Sequence, residues 1–165
     1  MELTGGLEVR LDAKDYPLVA KYRWYASKYG KTWYAKADYR LPDGKMLRLA
    51  MHRVIAGGGK QVDHWDKNGL NNQRFNLRAA THSQNQANRA KGSNSVGKYK
   101  GVYNTKRPLA KPWMAHIRVN YKMKNLGYYA TEEEAALAYN VAAKQFFGDF
   151  AELNDLSKGK VDLLT

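Results

Sequence analysis

Apolar and polar positions change period several times along the chain, and each change predicts its own elements. Within residues 1–45, "GLEVRLD" alternates at period two and predicts a short strand. "AKDYPLVAKY" predicts a short helical turn carrying a proline. "RWYASKYGKTWYAKADYR" predicts two aromatic strands around a glycine-containing turn, and "LPDGK" a further turn before another strand. Trp24, Tyr25, Trp33 and Tyr34 are expected in core and sheet packing rather than as platforms for stacked bases.

Residues 46–92 form a second part. "MLRLAMHRVIAGGG" predicts a strand running into a short helix stopped by Gly57, Gly58 and Gly59. "QVDHW" predicts a strand, "DKNG" a turn and "NLRAAT" a second strand. "THSQNQANRA" then predicts a helix, with Thr81 and Gln84 in capping-box spacing. The order is strand, long polar loop, strand, helix.

A Gly/Ser/Lys-rich stretch closes this part, with a linker expected at 93–98. Residues 99–155 hold three strand patterns in series, "YKGVYNT", "WMAHIRVNY" and "KNLGYYA". "TEEEAALAYNVAAKQFFG" follows as a helix capped by Thr131 and Glu134 and ended by Gly148. Its apolar face is expected to be Ala135, Ala138, Tyr139, Ala142 and Phe146. A tail fills 156–165. The expected fold class is α+β, with a three-stranded antiparallel sheet packed on one helix at the C-terminal end.

In the second strand of that sheet, alternation turns Ala115, Ile117 and Val119 to the helix. His116, Arg118 and Asn120 then face out. Gly101 and Tyr103 on the first strand, and Met123 and Asn125 on the third, complete the outward set.

Composition narrows the function. The chain has 165 residues, 44% hydrophobic and 26% charged, which fits one ordinary globular domain or two small ones. No apolar run approaches the roughly 18 residues needed to span a bilayer, and the opening residues do not read as a signal peptide, so no membrane association is expected. Cysteine is absent, which excludes disulfides and thiolate zinc sites. The net charge is +13, and its distribution is uneven. From Lys67 to Thr131 there are thirteen basic residues and no acid, while the other fifteen basic residues balance the fifteen acids. A long acid-free block mixed with aromatics and amides fits a polyphosphate partner.

The chemistry concentrates at Asp63-His64. Adjacent residues on a strand point to opposite faces, so the pair does not converge by default. A carboxylate and an amide oxygen are hard ligands suited to Mg²⁺ or Mn²⁺. A neutral histidine can activate water at physiological pH. Arg53, Arg74 and Arg78 are candidate phosphate clamps through their forked donors. For Asn72 a turn role, and for His52 and His82 a structural role, is the expectation.

"MHRVI", "VDHWDKNGLNNQRFNLR" and "SQNQANR" together resemble the HNH nucleases, in particular the homing-endonuclease branch of phages and self-splicing introns. The resemblance implies a ββα-metal core. It makes Asp63 the metal-binding acid and His64 the general base. Asn76, twelve residues on, is the asparagine that pins the loop and orients the histidine. Asn85, nine residues further, is the second metal ligand in place of the family's last histidine, giving a His-Asn-Asn variant. One divalent ion per site, Mg²⁺ or Mn²⁺, is implied, with products carrying 5′-phosphate and 3′-hydroxyl ends.

The markers "YKGV", the W-x-A-x-I-R spacing of "WMAHIR", "LGYYAT", "EEAALAYNVAA" and a closing "LN" resemble the DNA-binding domain of the plant Apetala and ethylene-response-factor class. That resemblance implies a sheet laid in the major groove with the helix behind it. Arg118 keeps the family's arginine, whereas His116 and Asn125 depart from its usual glutamate and tryptophan, so the plant target sequence does not carry over. Expected DNA contacts are Arg53, Arg74, Arg78, Arg89, Lys98, Lys100, Tyr103, Lys106, His116, Arg118 and Asn125.

The sequence therefore leads to a site-specific endonuclease, a phosphodiester hydrolase acting on double-stranded DNA. The expected setting is the cytoplasm of a bacterial host, with a phage or mobile element as the source. A monomer would nick and a homodimer could cut both strands. The alternative is a non-cleaving, sequence-specific DNA-binding regulator that keeps the fold.

Overall fold

In the computed structural model, residues 1–58, 61–91, 97–107 and 110–157 are described. Gly59, the part of the expected linker at 93–96, and the tail beyond 157 lie outside them. The chain divides into two compact units, Met1–Thr81 and His82–Thr165. Three small antiparallel sheets and short helices give a mixed α/β architecture.

In the first unit, β1 (Tyr25–Tyr29) and β2 (Thr32–Arg40) form a hairpin about Gly30, whose φ of 61° suits a residue without a Cβ. β3 (Met46–Ala50) pairs with the other edge of β2. Alternation along β2 turns Ala35 and Ala37 inward and leaves Asp38 and Arg40 in water. α1 (Tyr16–Val19) carries Pro17 in its first turn, where a missing N–H costs nothing. α2 (Met51–Ile55) follows β3 directly. Leu3, Val9, Val19, Trp24, Ala35, Ala37, Met51 and Ile55 make one core, flanked by Leu70 and Leu77 of the later loop and strand.

Two expectations for this region change. "GLEVRLD" forms isolated bridges (Glu2 to Glu8, Arg10 to Asn71) rather than a strand. Its apolar residues still serve the core, since Val9 is buried and Leu11 packs against the same cluster. Trp24 is buried and donates its indole N–H to the Val19 carbonyl at 2.8 Å, but Trp33 is an exposed ring with the Lys28 ammonium 5.7 Å above it. The strands share no single buried face long enough to cover every aromatic. β4 (Val62–His64) and β5 (Leu77–Ala79) then make a separate two-stranded hairpin joined by the polar loop.

The second unit starts with α3 (His82–Asn88), followed by β6 (Val102–Asn104), β7 (Trp113–Val119) and β8 (Lys122–Tyr129) in sequential order. α4 (Glu132–Phe147) lies across this sheet. Ala115 and Ile117 are buried against it while Arg118, Met123 and Asn125 face out, as the alternation predicts. The Asn120-Tyr121 turn takes positive φ at both residues, 48° and 66°.

Gly101 corrects the outward set. Its φ is 74°, and a Cβ there would run into the Tyr139 ring and the His116 carbonyl, so it is the point where α4 meets the sheet. The buried stripe of α4 is Ala135, Ala136, Tyr139, Ala142, Ala143 and Phe147, and Phe146 is exposed. This set follows the i, i+1, i+4, i+7, i+8, i+12 spacing of one helical face, and Phe146 is not among its buried members.

The α4 N-terminus is closed by a reciprocal pair. The Thr131 hydroxyl accepts from the Glu134 N–H at 3.2 Å, and the Glu134 carboxylate accepts from the Thr131 N–H at 3.3 Å. Thr131→Ala is therefore expected to destabilise the protein by about 1 kcal/mol, with Thr131→Ser close to wild type. Urea unfolding followed by circular dichroism measures the difference, and an unchanged midpoint for the alanine variant would contradict the role of the cap.

Candidate active site

The polar loop between β4 and β5 is organised by one carboxylate. Asp66 Oδ1 accepts from the Asn68 N–H (2.8 Å) and from the Asn76 amide (2.9 Å), and Oδ2 accepts from the Asn71 amide (2.7 Å). Asn76, 1% exposed, gives its other amide hydrogen to the Asn71 carbonyl at 2.8 Å. Its own side-chain oxygen takes the Asp66 N–H at 3.0 Å, and its main-chain oxygen takes the Trp65 N–H at 2.9 Å. Burial raises the Asp66 pKa, but donors from Asn71, Asn68 and Asn76 outweigh it and hold the carboxyl below its usual value. The loop is thus a set of amides around an ionised acid, in which the buried Asn71 side-chain oxygen takes no hydrogen bond.

The loop is also tied to the N-terminal segment. Asn72 N–H donates to the Arg10 carbonyl (2.7 Å), and Arg74 N–H donates to Asp12 (2.9 Å). The Arg74 guanidinium grips buried Asp15 through two nitrogens, at 2.7 to 3.0 Å.

The hairpin register sets His64 opposite Leu77 and Asp63 opposite Arg78. Arg78 donates to Asp63 Oδ2 from Nε (2.9 Å) and from a terminal nitrogen (2.8 Å). Period two sends the His64 ring to the other face, where it is 5% exposed. There it meets the edge of the His52 ring, centroids 4.9 Å apart at 77°, and the Tyr34 ring at 5.7 Å. Its Nε2 lies 3.3 Å from Asn72 Oδ1. Burial pushes the His64 pKa down, partly opposed by Asn72, Asp66 and Asp63. The ring is held neutral, the form that can accept a proton from water.

Among the expected site residues, Asp63 and His64 stand on opposite faces of β4, and Asn76 takes the Trp65 and Asp66 N–H groups just after the histidine. Asn85 lies on α3, in the second unit. Arg53 is exposed on α2. The two other clamp candidates, Arg74 and Arg78, face carboxylates. In the second unit, the Lys100 ammonium sits on the C-terminal carbonyls of α3, 2.6 Å from both Ala87 O and Arg89 O, while Arg89 reaches Gln86 at 3.3 Å. Lys98 stands 3.7 Å from Glu133 and over the Tyr99 ring. Tyr103, Lys106, Arg118 and Asn125 are exposed, and His116 is half-buried against Tyr103 at 5.4 Å. His82 is not core but stacks flat on Tyr121 at 5.3 Å.

Asp66, Asn72, His52 and Tyr34 were not assigned to the site from the sequence. Asp66 carries a usable signal, being the last acid before the long acid-free block. The Tyr34 and His52 contacts are tertiary and have none. Among the described residues no three His, Cys, Asp or Glu side chains converge as a ready-made metal cage, so any ion would draw on amide oxygens, phosphate or water as well. The Asp63 carboxylate suits such an ion. It is a hard oxygen donor, and the Arg78 guanidinium holds its Oδ2 in place. Among the described residues no helix is long and apolar enough to cross a membrane.

Comparison with known proteins gives the class. The chain is 36% identical over 144 residues to an uncharacterized HNH endonuclease of Acanthamoeba polyphaga mimivirus, an alignment covering 86% of this chain and 71% of that protein. No family model matches it, and no solved structure does. The similarity is thus to a nuclease. The chain belongs to the HNH endonuclease family.

Buried His52 supplies a measurable signature of the site. Burial first, then the His64, Arg53 and Lys36 charges, push its pKa down to about 3. In the unfolded chain a histidine protonates near ~6.5. Between these values only the unfolded state takes the proton, so stability is full above about pH 6.5 and is lost as the pH falls towards 3. His52→Phe, which keeps a ring, is expected to flatten this acid decline. Urea midpoints at pH 7 and pH 5 test it, and an equal pH dependence in the variant would refute the burial argument.

Proposed function

We propose that this protein is a site-specific DNA endonuclease of the homing type, hydrolysing phosphodiester bonds in duplex DNA with one divalent ion, Mg²⁺ or Mn²⁺. The observation that carries the reading is the buried His64 at the end of β4, adjoining an amide-braced loop, in a chain of the HNH family. The order β4, polar loop, β5, α3 supports a ββα-metal core. His64 takes a proton from the attacking water. The resulting hydroxide forms a bond to phosphorus, and the bond to the 3′-oxygen breaks with its electron pair. The 3′-oxygen takes a proton from solvent water and His64 releases its own to solvent, leaving 3′-hydroxyl and 5′-phosphate ends. A bound divalent ion would supply charge stabilisation at the phosphate and the departing oxygen. Asp63 would be its carboxylate ligand, and for Asn85 the ligand role stays the one the resemblance implies.

Sequence preference is proposed to come from the outward face of β6–β8, through Tyr103, His116, Arg118 and Asn125, in the manner of the Apetala-type sheet. Lys106, in the β6–β7 turn, would contact phosphate. With one nuclease motif, a monomer nicks and a symmetric dimer cuts both strands.

His64→Ala is expected to lower cleavage of plasmid DNA in Mg²⁺ or Mn²⁺ by about 10²–10⁴-fold, the usual contribution of a general base, and to keep duplex binding. A variant that cuts at the wild-type rate would overturn the assignment. Binding by a wild type that never cuts in either metal would favour the regulator instead.

Arg118→Ala is expected to relax preference at one position of the site, at a cost of about 1–3 kcal/mol on the preferred base. Lys106→Ala is expected to weaken all sequences alike and to lower the salt slope by about one. Selection from a randomised duplex library compares them, and uniform weakening by both would move specificity elsewhere.

A further inference from the structure

The two histidine rings that meet at the site are bordered by positive charge that no acid balances. Alternation along β2 puts Lys36 on the same face as Tyr34. The Tyr34 ring lies 5.7 Å from the His64 ring and 5.9 Å from the His52 ring. Lys36 also stands opposite Ala50 in the β2–β3 register, and Ala50 leads directly into α2, which carries His52 and Arg53. Lys36 from the sheet and Arg53 from the helix thus border the histidine pair from two elements of one compact unit. Both charges reach His52, where they add to burial in lowering its pKa.

The acids of this region are engaged elsewhere. Asp38, next along the Lys36 face of β2, is held by Arg48 at 3.0 Å and by the Tyr25 hydroxyl at 3.1 Å. Asp63 is gripped by Arg78, and Asp66 by the loop amides. Among the described residues neither Lys36 nor Arg53 forms an ion pair, in contrast to Arg48, Arg74 and Arg78. Lys36 is half-buried and Arg53 exposed. Unbalanced cations beside buried, uncharged rings favour an anion supplied from outside. The flexible ammonium and the planar guanidinium both suit phosphate oxygens. A strand whose scissile phosphate lies at His64 carries further phosphates on either side, within the span these two side chains border.

We propose that Lys36, together with Arg53, binds the backbone phosphate next to the scissile one and so seats the cleaved strand over His64. This rests on the reading of His64 as the general base. Lys36 lies outside the HNH spacing, and only the sheet register brings it to the histidines.

The test uses the full chain and a duplex oligonucleotide carrying its preferred site, with single phosphates replaced in turn by uncharged methylphosphonate. Cleavage in Mg²⁺ or Mn²⁺ first maps the cut bond, and binding is then measured without divalent ion. The wild type is expected to lose affinity when a phosphate adjacent to the cut is neutralised. Lys36→Gln is expected to bind the unmodified duplex roughly tenfold more weakly, with the salt slope lowered by about one, and to become insensitive to that one replacement. Lys36→Arg, which keeps the charge, is expected to keep the sensitivity. A lysine with a merely structural role would leave the pattern of sensitive phosphates unchanged, so a folded Lys36→Gln with the wild-type pattern overturns the proposal. A lost sensitivity far from the cut overturns it too. So does a wild type indifferent to replacement of both phosphates flanking the cut, even if the glutamine variant fails to fold. His64→Ala that cuts at the wild-type rate would instead overturn the general-base reading, and the methylphosphonate series would still decide the Lys36 contact.

Discussion

The Asp66 carboxylate and the amides of Asn71 and Asn76 are the interaction on which the site depends. A polar loop that turns inward must satisfy most of its buried donors and acceptors, because each one left open costs about 1–3 kcal/mol, and here the Asn71 side-chain oxygen is left open. Amide side chains suit this duty, since each supplies two donors and an acceptor without adding charge. A single ionised acid at the centre then sets the direction of the network. With the loop braced in this way, β4 and β5 keep their register, and the register decides that Asp63 and His64 face opposite sides.

Electrostatics divide along the same line. The acid-free block from Lys67 to Thr131 looks uniform in sequence, but its charges do different work in space. Arg74 and Arg78 meet carboxylates contributed by residues before the block, and Lys100 meets helix carbonyls. Arg118 and Lys106 stay exposed. A basic run therefore overstates the field presented to DNA, because part of it neutralises the protein's own acids and backbone dipoles.

Most of the framework was legible in the sequence, where local rules govern. Hairpins with glycine turns, the capped α4 and the alternation of β7 all follow from nearest-neighbour geometry. The short N-terminal strand does not, since a period-two pattern describes any extended segment that buries alternate residues, paired or not. The outward placement of Gly101 fails because a residue with positive φ does not follow strand alternation. At the site, the HNH spacing points to Asp63, His64 and Asn76. It is silent on Tyr34, His52 and Asn72, whose importance arises from packing against the histidine ring across long stretches of chain.

The Lys100 ammonium resting on the last carbonyls of α3 bears on how such proteins are recombined. By sequence, α3 ends the nuclease motif, and the natural seam is the Gly/Ser-rich stretch after it. By contact, α3 belongs with the second unit: Lys100 closes its C-terminus, and the Glu152 N–H returns to the Ala87 carbonyl. A chimera joined at the linker would give α3 a new neighbour lacking both contacts and leave its terminal carbonyls open. A junction between Thr81 and His82, roughly a dozen residues before the one the composition suggests, keeps that helix with its partners but parts Asn85 from the strand that carries Asp63 and His64.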